Sequence, residues 1–411
     1  MTAATLAPAP GSDRLSANPE FRSLFLSGVA AKFGAHVSYV AVPLVAVGAL
    51  DASAGEVGAL AAAATAASLL FGLPAGAWVD RAPKRRLMIS ADLARALLLA
   101  SIPAAWWLGV LTIWQLYAVV LLAGVGTVLF DVAQQSLLPS IVGRDRLTGA
   151  NGSLVALESG LTVAGRGAAG FLVAVLGAPL AVALDAVGYV WSAVFLRRIR
   201  TEAPPSGPRA PLGAEIRAGV RFVRSHPALR ALAAAGAANN FSIQMFLTML
   251  PLVWIRAGLP AVGLGLMLGV GGAGVFAGAA AARRLRDRLG TGRTLWMVGA
   301  AVGPLALLLP LIGPGWRLWA AGAAWAAVGA AVGVANVIGV SLRQQETPEA
   351  LLGRMNAVFR FVFMGAVTLG AAVAGLIGEL VSPGAALWLG AVGMATQWTI
   401  MFAARRRFSR G

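Results

Sequence analysis

Nine ionisable side chains sit inside stretches of the chain that are otherwise apolar: Lys32, His36, Asp92, Arg95, Asp131, Glu158, Arg166, Asp185 and Arg360. An ionised group at the centre of a bilayer costs at least about 2.5–3.5 kcal/mol on insertion scales, so such residues stand where they meet a counter-ion, a substrate or a proton. Depth sorts them. Asp92, Arg95, Asp131 and Glu158 lie at similar distances from one set of ends of their apolar stretches, which the fixed rise of a helix converts into one level. Three acids against one base form a cluster in which a carboxyl can take up and release a proton. Asp131 and Glu158 are the candidate proton carriers. Asp92 and Arg95, three residues apart, read first as a structural ion pair and second as members of the proton-coupling cluster. Lys32 and His36 are one turn apart on one helix face and are candidates for substrate or proton binding, or for a hydrogen-bonded packing pair.

The elements that must position these groups are membrane-spanning helices. Of 411 residues 58% are hydrophobic and 12% charged, with a mean hydropathy of +0.79; a soluble domain carries about 25% charged residues. Apolar runs long enough to cross about 30 Å of hydrocarbon recur near 21–48, 55–79, 87–109, 113–138, 149–176 and 179–198, then near 228–255, 259–282, 294–313, 316–341, 354–380 and 384–403. The expected fold is therefore all-α, twelve transmembrane helices in two six-helix bundles at 21–198 and 228–403. A tail at 1–20, a linker at 199–227 ending in the basic amphipathic GAEIRAGVRFVRSH, and a basic tail at 404–411 complete the chain. The 51 glycines suit close helix packing in lipid.

Basic residues fix the expected orientation. The loops on one side hold 27 Lys and Arg, those on the other only Arg256 and Arg317, so the positive-inside rule places both termini and the central linker in the cytoplasm. The net charge of +17 thus reads as topogenic rather than as a nucleic-acid footprint. The halves also repeat. GLPAGAWVDRAPKRR (72–86) matches GVFAGAAAARRLRDR (274–288), QQSLLP (134–139) matches QQETP (344–348), and Asn151 and Asn356 open the fifth helix of each half. Six-helix repeats meeting at a midplane site are a transporter architecture.

The loop after the second helix carries Gly76, Asp80, Arg81, Lys84 and Arg85, with Pro83 where a glycine is usual. It resembles the signature loop of the major facilitator superfamily. SADLARA (90–96), LPSIVGRDRLTGAN (138–151) and GVRFVRSHPALR (219–230) resemble its twelve-helix macrolide-efflux and enterobactin-exporter branch. The resemblance implies alternating access, and a gate in which Asp80 meets the start of the eleventh helix near Gly353 and Arg354, with Gly76 allowing close contact. The bare charge pattern leaves Arg81, Lys84, Arg85 and Arg86 equally readable as topogenic. One departure stands in the fifth helix: AGRGAAG (164–170) places Arg166 where exporters carry a proline. Arg166 is expected to pair with Asp185; facing the cavity instead, it would favour an anionic substrate. Arg360 is a further cavity candidate.

The expected function is proton-coupled efflux of a small, largely apolar organic compound such as an antibiotic or siderophore, with import on the same fold as the alternative. A non-transporting sensor is more remote. No enzyme is expected: the chain has two His, no Cys and no G-x-x-x-x-G-K-[ST] loop. The expected partners are substrate, protons and the lipid bilayer, with no cofactor, metal or nucleic acid, in a monomer of a bacterial inner membrane.

Overall fold

A computed structural model describes residues 15–72, 74–202 and 212–405. Most of the N-terminal tail, the greater part of the TEAPPSGPRAP linker and the last residues of the basic tail lie outside them. The first half comprises α1 (Pro19–Leu50), α2 (Ala54–Phe71), α3 (Pro74–Arg81), α4 (Lys84–Trp107), α5 (Ile113–Val142), α6 (Leu147–Leu176) and α7 (Ala178–Leu196). A surface helix, α8 (Leu212–Ser225), leads into α9 (Pro227–Arg256), α10 (Ala261–Leu289) and α11 (Thr291–Val302). Then follow α12 (Trp316–Gln345), α13 (Glu349–Leu380), α14 (Pro383–Thr396) and α15 (Trp398–Ala403).

Among the described residues eleven helical segments are long and apolar enough to cross a membrane. α9 has the length, 30 residues, but stands outside that set because Asn239, Asn240, Ser242, Gln244 and Thr248 occupy its middle. These side chains do not need lipid: α9 packs against α13 and α14, Asn239 and Asn240 line one cavity, and Gln244 and Thr248 line another.

Two expected boundaries move. The second span ends at Phe71 rather than near 79, because Gly72 caps α2 and Pro74 opens the separate α3. Its repeat partner at 274–288 has no proline and continues as one helix to Leu289. The eleventh span starts at Glu349, after Pro348, so Gly353 and Arg354 lie in its second turn rather than at its tip.

The core shows how the halves meet. At the end away from the basic loops one continuous apolar cluster joins both halves, with Val45 and Leu60 from the first and Phe246, Trp254 and Leu264 from the second. At the basic end it is replaced by two separate clusters. One belongs wholly to the first half (Phe21, Met88, Leu137, Leu196) and the other to the second (Leu229, Ile338, Met355, Phe359). The halves touch mainly through α2 with α13 and α6 with α10. A Cβ on Gly58 would lie 2.2 Å from the Gly375 Cα, and one on Gly170 would lie 2.6 Å from the Ala261 carbonyl; both contacts sit near the non-basic ends of their helices. At the basic end, by contrast, no atom of another element among the described residues comes within 4 Å of a Cβ built on Gly76. The expected close contact at Gly76 is not made, because the halves are apart there. The molecule is shut at one end and open at the end that carries the basic loops.

Within the second half α10 and α12 approach backbone to backbone: a Cβ on Gly278 would fall 1.9 Å from the Ala330 carbonyl oxygen. Gly278→Ala should therefore destabilise by about 1–3 kcal/mol, the usual cost of overpacking, while Gly76→Ala should be neutral. Thermal unfolding of the purified variants checks both, and equal behaviour would refute the packing description.

Candidate functional site

The groups expected to form one acidic cluster divide between two places. Arg95 on α4 pairs with Asp92 one turn earlier, and both are buried. Arg95 also donates to Thr127 Oγ1 at 3.2 Å and lies over the rings of Tyr189 (4.1 Å) and Phe130 (4.9 Å). Gly126 of α5 makes room for its stem, since a Cβ there would meet Arg95 Cγ at 2.9 Å. The pair thus ties α4, α5 and α7 together inside the first half.

Glu158 goes elsewhere. Its carboxylate accepts a hydrogen bond from Lys32 Nζ of α1, and its other oxygen lies 3.6 Å from His36 Nε2. Gly165 of α6 lets the helices approach, since a Cβ there would lie 3.0 Å from the Cβ of His36. Glu158 is about 17 Å along α6 from Leu147, at 1.5 Å per residue, yet its side chain is 45% exposed and that of Lys32 33%. Such exposure at mid-span means that both face the cleft between the halves. Asp131 of α5 makes no hydrogen bond or ion pair among the described residues; Lys32, Arg95, Arg360 and Glu158 are the charges acting on it. Of these Arg360, exposed on α13, belongs to the other half. Lys32, Asp131, Glu158 and Arg360 therefore form a charged belt across the cleft, with His36 behind it.

The expected Arg166–Asp185 pair is not made. α1 runs between α6 and α7 and packs on both. Arg166 instead lies over the Tyr39 ring at 4.4 Å, with its buried Nε unpartnered. Asp185 abuts α1 at Gly34, where a Cβ would be 2.6 Å from its Cα. It is 2% exposed, with no hydrogen-bond partner for Oδ1.

Beyond the charged belt, toward the shut end, lies a cavity of about 410 Å³ between α1, α2, α5 and α7 on one side and α9 and α10 on the other. Its wall is mostly Val, Leu and Ala, with Tyr39, Thr65, Asp185, Gln244 and Thr248 as polar points. A largely apolar wall with a few convergent polar groups is the usual make-up of a small-molecule site. Phe246 and Phe359 are fully buried in packing and do not line this cavity. The sequence reading missed the amides Asn239, Asn240, Asn336 and Gln397, which line a pocket inside the second half beside Arg343. Their signal was available: Asn239 and Asn240 are among the residues that depress the hydropathy of α9.

The signature loop holds α3 against α4 and α5. Lys84 is buried and has an interaction partner. Arg85 donates to the carbonyls of Leu196 (3.4 Å) and Arg197 (3.2 Å), satisfying the C-terminus of α7. Arg81 is exposed. The side chain of Asp80 lies outside the described residues, so its expected contact with Arg354 does too. At the opposite end an equivalent contact is visible: Glu379 of α13 accepts the Gly55 amide of α2 at 2.9 Å, bridging the halves at a helix N-terminus.

The sequence matches a family model described as transmembrane secretion effector over residues 14–409. The chain belongs to this family. It has the major facilitator fold and is a membrane transporter, not an enzyme. Among solved structures it is similar to a bacterial homologue of the iron transporter ferroportin in its inward-facing state. That comparison gives 16% identity over 94% of this chain and 98% of the other, with a TM-score of 0.76. The same homologue in its outward-facing state gives 0.61, at 16% identity over 94% and 99%. A mutant of the nucleoside transporter NupG matches at 14% identity over 96% and 100%, TM-score 0.73. A bacterial homologue of the human lysosomal transporter Spinster, inward-facing and unoccupied, matches at 14% over 95% and 98%, TM-score 0.68. No curated relative matches the sequence significantly.

Arg95→Met would leave Asp92 as an unpaired buried charge, at a cost of about 3–5 kcal/mol. Adding Asp92→Asn should recover much of that loss. Unfolding midpoints of the single and double variants measure the coupling, and additive effects would remove the pair from the account.

Proposed function

We propose that the protein is a proton-coupled exporter of a small, largely apolar organic compound. It would work by alternating access in a bacterial cell membrane, with both termini cytoplasmic and no cofactor beyond the proton gradient. The observation that carries this reading is the Lys32–Glu158 pair, exposed at mid-span below an apolar cavity, with the buried His36 behind it. With Glu158 ionised, Lys32 has its counter-ion and α1 is held to α6. A proton delivered to Glu158 removes that counter-ion and leaves Lys32 to Asp131 or to the substrate, so proton binding and substrate binding compete for the same charges. Asp131 is the second proposed proton carrier, with Arg360 facing it across the cleft.

The open end is read as cytoplasmic from the 27 basic residues that border it. Substrate enters there, reaches the apolar cavity and touches its few polar points. Opening the other end requires the Gly58–Gly375 contact to part and Glu379 to leave the Gly55 amide. Asp80 would then cap the N-terminal turns of α13 at the basic end, an antiparallel counterpart of Glu379 on α2. The family's character as transmembrane secretion effectors favours export over import, and the apolar wall favours an organic substrate over a bare ion.

The test starts from a susceptibility panel in a host stripped of its own pumps, which supplies a transported compound. In inverted vesicles an imposed proton gradient should drive that compound inward. Glu158→Gln should reduce the driven component at least about ten-fold, as expected when a coupling group is lost, roughly 1.4 kcal/mol or more, while the variant still binds the compound. Full gradient-driven accumulation by Glu158→Gln would eliminate this group as the coupling site.

A further inference from the structure

Where α8 meets the second half, the sequence builds a groove away from the charged belt and the apolar cavity. Gly219 seats α8 on α13; a Cβ there would be 2.8 Å from the Arg354 carbonyl oxygen. Below this contact α8, α9 and α13 leave a groove of about 570 Å³ with an almost wholly apolar wall, including Ala233, Ala237, Phe361 and Val362. Phe361 is 51% exposed, so the groove is not closed over. Its polar lining is basic: Arg354 of α13, half-buried, with Arg224 in the last turn of α8 and Arg230 in the first turn of α9, both exposed. Among the described residues no carboxylate lies within salt-bridge distance of either exposed arginine, and the Glu346 carboxylate lies 3.2 Å from His226 Nε2. An Arg230 N–H donates to the Arg224 backbone carbonyl at 3.5 Å, which brings the Arg230 guanidinium to the C-terminal end of α8. Arg217 and Arg221 extend the same charge along α8 at helical spacing.

Length decides what fits. From Gly353 to Val362 the groove wall runs about 14 Å along α13, close to half of the roughly 30 Å hydrocarbon layer. The groove is thus cationic at the membrane surface and apolar for the depth of one leaflet. A soluble anion would have no use for the apolar part, and an apolar solute none for the arginines. We propose that it binds an anionic phospholipid, the phosphate held by Arg224 and Arg230 and one acyl chain lying along Ala233, Ala237, Phe361 and Val362. Basic pockets between helices on the positive side of a membrane protein are the general setting for such headgroups. By pinning α8 to α9 and α13, the lipid would brace the hinge between the two halves.

Native mass spectrometry of the full chain, loaded with phosphatidylglycerol or phosphatidylcholine of identical chains, tests this directly. Wild type should retain phosphatidylglycerol on the order of ten-fold more than phosphatidylcholine. Arg224→Gln with Arg230→Gln should abolish the preference, and Ala237→Trp, which fills the groove without changing charge, should lower retention of both lipids. Arg283→Gln with Arg284→Gln, an equal loss of charge elsewhere on the basic side, should leave the preference intact. Three outcomes overturn the proposal: equal retention of the two lipids by wild type, loss of preference in the control as large as in the groove variant, or no effect of Ala237→Trp. A dimer that dissociates on Ala237→Trp would assign the groove to a second copy instead. Both substituted arginines are exposed, and unchanged unfolding midpoints without added lipid separate a lost site from a lost fold.

Discussion

A charge inside hydrocarbon must have either a counter-ion or water, and the structure can be followed outward from how it meets that demand. Asp92 and Arg95 satisfy it by burial together, with two aromatic rings around the guanidinium. Lys32 and Glu158 meet it with each other and with the cleft, since their side chains stay one-third to nearly one-half exposed at mid-span. The first solution makes a rigid half. The second needs an aqueous opening, and an opening at mid-membrane needs two halves that separate at one end. The division of the apolar core into two clusters at the basic end, and its fusion into one at the other, is that opening expressed in packing.

The shut end depends on residues with no side chain. Gly58 against Gly375 and Gly170 against Gly265 bring backbones together where lipid supplies no hydrophobic drive between helices, so dispersion at close range does the holding. Such contacts are strong when seated and vanish over a small separation, which suits an interface that must part. The Glu379–Gly55 bond adds a directional element at the rim. Within each half, contacts such as Gly278 against Ala330 are of the same kind but have no reason to open.

Much of this was legible in the sequence. The spans follow from apolar length, which is a local property. The Asp92–Arg95 pair was readable because its partners are one turn apart. The Lys32–Glu158 bond was not: its partners are 126 residues apart, and depth along a helix does not say which neighbour a side chain faces. The same gap explains Arg166, matched in depth with Asp185 but separated from it by α1, so that Tyr39 takes the guanidinium. The break between α2 and α3 was written in Gly72 and Pro74 but masked by the apolar run around it. The polar middle of α9 was the least used signal, since amides that lower a span's hydropathy are the ones that face a cavity.

The central claim is that the two halves rock about the charged belt, exposing it at one end and then the other. The chain has no cysteine, so spin labels can be placed one pair at a time, at Asn151→Cys with Asn356→Cys on the basic end and Val110→Cys with Val381→Cys on the opposite end; all four positions are exposed. Double electron–electron resonance in lipid nanodiscs, with and without Glu158→Gln to mimic the protonated carboxyl, reads both distances. The account predicts that the basic-end pair shortens and the opposite pair lengthens in the Glu158→Gln background. Distances that stay fixed at both ends, or change in the same sense, would contradict it.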